Sequence, residues 1–179
     1  NYTLLELPHH GPLVGYAVAE RDYATTLVRN FLYSALMVDV WSGLSHAADP
    51  ELAAIAERSL KETRYHLRHS HDWLVRLGDG TDESHRRVQA ALDHLWAYTQ
   101  EFWSASSVET AATAQGLDMT AIRTDWQHTV AEGLALATLR QPADGGYVSQ
   151  GKTGLHSEHL GYLLAEMQSL ARAHPQGQW

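Results

Sequence analysis

The sequence predicts an all-α fold, and three observations carry that reading. Apolar residues recur at steps of three and four through most of the chain. The segments that carry them are bounded by helix start and stop signals, and one runs long enough for about eight helical turns. No apolar–polar alternation persists over four residues with turn signals at both ends. The 179 residues suffice for one helical-bundle domain, 1–179, with one substantial core. Long helices joined by short connections pack in an up-down arrangement.

After an irregular lead with Pro8, Gly11, Pro12 and Gly15, a helix starts near Asp22. Leu27, Phe31, Ser34, Val38 and Trp41 share one of its faces, and Gly43 should weaken its last turn. The next start is the clearest in the chain. Asp49 is a good N-cap, Pro50 suits the first helical position and Glu51 complements the dipole. That helix runs to Leu77 and stops at Gly78-Asp79-Gly80. Thr81 to Ser84 opens a third, with Val88, Leu92, Leu95, Thr99 and Phe102 apolar-facing and Arg86, Arg87, Asp93, His94 and Glu101 opposite. A short helix ended by Gly116 connects to another over 120–138, where Ile122, Trp126, Val130 and Leu134 align. A loop over 142–154 precedes the last helix, which begins at Ser157 and carries Leu160, Leu164, Met167 and Ala171.

Composition excludes several classes of function. The chain is 44% hydrophobic and 19% charged, which argues against wholesale disorder. A formal net charge of −8 and the lack of a basic patch argue against nucleic acid as a partner. With no cysteine, disulfide scaffolds, thiolate metal sites and cysteine nucleophiles are out. No apolar run is long enough to span a membrane, and NYTLLELPHH has no signal-peptide pattern. The expected location is the cytoplasm. There is no phosphate loop, dinucleotide fingerprint or nucleophile elbow; GKTG at 151–154 lacks the preceding strand.

Helical bundles raise the question of a carboxylate-bridged di-iron site, which needs glutamates and Glu-x-x-His pairs converging from four helices. The best candidate stretch is KETRYHLRHSHDW, where Ile55, Glu62, His66, His69 and Trp73 fall on one line. Glu62 and His66, four residues apart, would chelate one ion if this line faced inward. Leu60, Leu67 and Leu74 mark the more apolar face, however, and if that is the core Glu62 and His66 sit at the surface. At the di-iron spacing Glu62 is followed by Tyr65, a poor ligand for iron(II). The predicted metal and cofactor content is none. The alternative is a free-standing ferritin-like metal-binding protein or oxidase using Glu62 and His66. Asp39, a carboxylate in an apolar helix, is expected to pair with an Arg or Lys across the bundle, and His9-His10 to be solvated.

The stretch from Asp49 to Trp96, above all KETRYHLRHS, and the stretch HSEHLGYLLAEMQ near the end resemble the PaaC family, the C subunits of bacterial phenylacetyl-CoA epoxidases, which are the ring-epoxidising monooxygenases of phenylacetate degradation. The resemblance covers nearly all of the chain. It implies a ferritin-like fold and a non-catalytic, structural role beside the catalytic di-iron subunit of the same complex. It also implies a vestigial site, in which Glu62 matches a ligand-type carboxylate, Tyr65 stands in the imidazole slot and inward Ser34 replaces a carboxylate. His66 is the remaining vestigial candidate. Family members carry two further helices ahead of NYTLLELP, so the chain is expected to be a fragment whose apolar faces another chain or a second copy covers, giving a homo-oligomer. The stretch between Leu13 and Arg21 looks longer than the family pattern. Arg64, Arg68, Lys152 and Glu158 are the expected partner contacts.

Overall fold

The computed structural model describes residues 2–7 and 22–177; among them the chain is all-α, with no strand beyond an isolated bridge between Gln150 and Leu155. Pro8, His9, His10, Gly11, Pro12, Gly15 and the stretch from Leu13 to Arg21 lie outside the described residues.

Side-chain caps start most helices. Helix α1 (Tyr23–Leu44) begins where the Asp22 carboxylate accepts from the Ala24 amide. Asp49 accepts from the Glu51 and Leu52 amides to open α2 (Pro50–Gly78), and Pro50 loses nothing there because a first-turn N–H has no helical partner. Thr81 and Ser84 cap each other's backbone at the start of α3 (Asp82–Leu95). The short α4 (Ser107–Ala114) follows, then α5 (Met119–Leu136), opened by Asp118, and α6 (His159–Ala173).

The contacts at the helix ends give the topology. Asp22, ahead of α1, meets Arg87 in the early part of α3. Gly43 at the end of α1 abuts Leu117, just ahead of α5, whereas Gly78 at the end of α2 abuts Ala137, just past the end of α5. Helices α1, α2, α3 and α5 therefore run up, down, up and down. Between them lie Phe31, Leu32, Leu36, Leu74, Val88, Leu92, Val130 and Leu134, all essentially inaccessible. The predicted faces of α1 and α5 point into this core, with Val38 and Trp41 half-buried at its end. On α2 the Leu60–Leu67–Leu74 face is the inner one.

Gly43 does not fray its helix. A Cβ there would lie 2.6 Å from Leu117 Cδ1, so its bare backbone lets the α4–α5 corner close on α1.

Past Leu95 the chain tightens into a 3-10 segment, Trp96–Trp103, rather than continuing as α-helix. Three residues per turn put Trp96, Thr99 and Phe102 in one column, and all three are buried. Trp126 meets this column at ring distances of 5.9 Å to Trp96 and 6.0 Å to Phe102, while its indole N–H donates to the Leu32 carbonyl at 2.9 Å. The expectation that Glu101 faces solvent fails here. Glu101 is fully buried, because residues 3 and 149–152 lie over the side that helical projection assigns to water.

Candidate functional site

The structure separates the residues of the supposed vestigial site. Ser34 is buried on α1, whereas Glu62, Tyr65 and His66 are exposed on the outward side of α2, with Tyr65 57% accessible. Ser34 thus lies inside the bundle and the other three outside it. Among the described residues, no three His, Asp or Glu side chains gather closely enough to hold a metal ion.

Among the side chains α2 presents outward are cations and aromatic rings. Arg64 and Arg68 are exposed. The Arg68 guanidinium lies 5.8 Å from the Tyr65 ring centre, and Tyr65 stacks on His69 at 6.2 Å with 17° between the rings. One turn on, Arg76 lies 5.4 Å from the centre of Trp73. Such stacking holds the guanidinium plane in place while leaving its N–H edge free.

Lys152 is not on the surface, which corrects its reading as a partner contact. Its side chain is 8% exposed and its ammonium is consumed internally, by Glu109 Oε1 at 2.8 Å and the Ser104 carbonyl at 2.7 Å. Burial penalises the Glu109 carboxylate, but the Lys152 ammonium and the Ser106 hydroxyl outweigh it and hold its pKa below the ordinary range. Beside this pair, Glu101 Oε2 accepts from the Thr3 amide at 2.9 Å and the Ser149 hydroxyl at 2.7 Å, and Oε1 accepts from the Lys152 amide at 2.6 Å. A second buried carboxylate, Glu6, takes the Ser157 amide and His156 Nδ1, each at 2.7 Å. Two glutamates thus bind residues 2–7 to the loop before α6. Glu158, the last expected contact, is exposed at the N-cap of α6 and makes no side-chain cap there.

Residues 1–179 match the family described as phenylacetic acid catabolic protein (PaaA_PaaC). The chain belongs to that family. A curated relative, the C subunit of the 1,2-phenylacetyl-CoA epoxidase of Escherichia coli (strain K12), is 42% identical over 160 residues, covering 88% of this chain and 64% of the relative. The chain therefore spans less than two thirds of that relative's length. The all-helical architecture agrees with the ferritin-like fold of this phenylacetic acid catabolic family.

The di-iron centre that such a fold implies does not fit the described side chains of this family member. A bridged pair of irons needs carboxylates and imidazoles converging from four helices. Here Glu62 and His66 leave one helix toward solvent, and Tyr65 stands between them. Asp39 on α1 faces the charge of Asp125 on α5, and among the described residues no Arg or Lys pairs with it, contrary to the expected cross-bundle ion pair. Burial first, and the Asp125 charge second, push its carboxyl up to about 6.

A folded-state pKa above the unfolded value means that the protonated form favours folding, so this contribution is present in acid and lost as pH rises through about 6. Asp39→Asn is accordingly expected to stabilise the protein at pH 7 by at most about 1 kcal/mol after solvent screening, and to change little near pH 3. Thermal unfolding of both proteins across that range checks this; equal differences at both ends would remove Asp39 as the cause.

Proposed function

We propose that this chain is a non-catalytic structural subunit of a multicomponent phenylacetyl-CoA epoxidase in aerobic phenylacetate degradation, scaffolding the catalytic di-iron subunit of that complex. The observation that carries the reading is the 42% identity to the C subunit of such an epoxidase. The outward placement of Glu62, Tyr65 and His66 supports a role without metal chemistry. Leu164, Met167 and Leu170 on α6 are 39%, 72% and 56% exposed, an apolar stripe suited to another subunit or a second copy of this chain.

The test is paired. After incubation with ferrous iron and desalting, the purified chain should hold below about 0.2 iron per chain, and it should co-purify with the di-iron subunit. One or two tightly held irons per chain would overturn the non-catalytic reading in favour of a ferritin-like oxidase with ligands at Glu62 and His66. A metal-free monomer that ignores the di-iron subunit would overturn the scaffold.

A further inference from the structure

Helix α2 has a charge balance opposite to that of its chain. It carries five Lys and Arg against four carboxylates, Glu51, Glu57, Glu62 and Asp72, in a protein of net charge −8, and from Arg58 to Arg76 the count is five against two. Lys61, Arg64 and Arg68 succeed one another at steps of three and four, so three like charges share one flank of the helix. All three are exposed, and among the described residues none forms an ion pair. By contrast, Arg86 and Arg87 on α3 both pair with Glu83. Next to the cationic flank, Tyr65 is 57% exposed, a large ring spending apolar surface on water; Trp73, on the line of Glu62 and His66, is 37% exposed.

We propose that this outward face of α2 is a docking surface for an acidic protein segment, with Lys61, Arg64 and Arg68 receiving carboxylates and Tyr65 supplying the apolar contact. Lys61 and Arg68 are two turns apart, about 10 Å, so the complementary segment presents carboxylates at that spacing, as an acidic helix does. Arg68 stacked on Tyr65 offers its N–H edge to a carboxylate in two-point geometry. An extended polyanion fits less well. Glu57, Glu62 and Asp72 interrupt the positive surface, and the rest of the molecule repels it. The assignment rests on the proposed subunit role for its natural partner, but its chemistry is testable without that role.

The experiment compares the wild type, the double variant Lys61→Glu/Arg68→Glu, and a control with the same charge change elsewhere, Arg123→Glu/Arg140→Glu. Thermal unfolding first verifies that all three fold. Binding is then measured to the other epoxidase subunits and to a synthetic helical peptide with glutamates seven residues apart. Reversal on α2 should weaken both by about tenfold or more at low ionic strength and flatten the salt dependence, with the control unchanged. Equal losses in variant and control would overturn the proposal, as would no loss in the α2 variant. Wild type that binds the peptide through α2 but none of the subunits would keep this surface and sink the subunit reading; binding to neither would sink both. Stronger α2-dependent binding to phosphatidylserine vesicles or duplex DNA than to the peptide would also overturn it.

Discussion

Replacing Glu101 with alanine is expected to lower the free energy of unfolding by roughly 3–5 kcal/mol. The carboxylate is fully buried and takes three hydrogen bonds, two of them from backbone amides. Alanine would leave the Thr3 and Lys152 amides with no acceptor in a site closed to water, and each stranded donor costs about 1–3 kcal/mol. Glu101→Gln keeps the shape but offers one acceptor oxygen. If that oxygen serves Thr3 and Ser149, the new NH2 group confronts the Lys152 N–H, donor against donor. The expected loss is about 1–2 kcal/mol. Urea unfolding followed by tryptophan fluorescence separates the cases. A Glu101→Ala protein within about 1 kcal/mol of wild type would show that the three segments hold together without the carboxylate.

Gly78→Ala is expected to destabilise by about 2 kcal/mol, against the usual trend. Helix propensity alone favours alanine over glycine by about 1 kcal/mol. A Cβ on Gly78, however, would stand 2.3 Å from the Ala137 carbonyl oxygen and 2.8 Å from its Cβ. That backbone cannot easily retreat. The Ala137 amide is bonded to the Gly133 carbonyl, Thr138 follows with φ at 57°, and the Gly78 carbonyl itself accepts from His85 Nδ1 at 2.7 Å. Gly161 on α6 is the matched contrast. Nothing lies within 4 Å of its would-be Cβ, so Gly161→Ala should be stabilising. Opposite signs in the two melting curves are the expected result; two stabilised variants would mean that α2 and α5 do not meet at Gly78.

These sites divide into those the sequence announces and those it hides. Asp49-Pro50, Thr81 and Gly116 act through neighbours within a few residues, so their caps and turns are legible from local order, and Gly116 does take φ of 94°. The inner face of α2 is legible too, because Leu60, Leu67 and Leu74 outweigh the Ile55–Trp73 line in apolar character. Glu101 is not. Its partners lie 98, 48 and 51 residues away, and two belong to a stretch with no periodicity of its own. The same stretch hides Lys152, which reads as a surface cation among glycines until Glu109 and Ser104 are placed beside it. The error at Asp39 has another origin. A carboxylate in an apolar helix implies compensation, but the choice between a cation and a raised pKa depends on what α5 brings opposite, and it brings Asp125.

Helix α6 buries none of its fifteen residues, and the Glu6 carboxylate fastens the two residues ahead of its N-cap. Burial therefore contributes little to its opening free energy, and Leu160 and Leu163 are half-covered. In hydrogen-exchange terms it is expected to form a separate cooperative unit, whose amides exchange through local opening while those of α1 await global unfolding. Whatever covers its apolar stripe adds binding free energy directly to helix order, so occupancy and protection rise together by linkage.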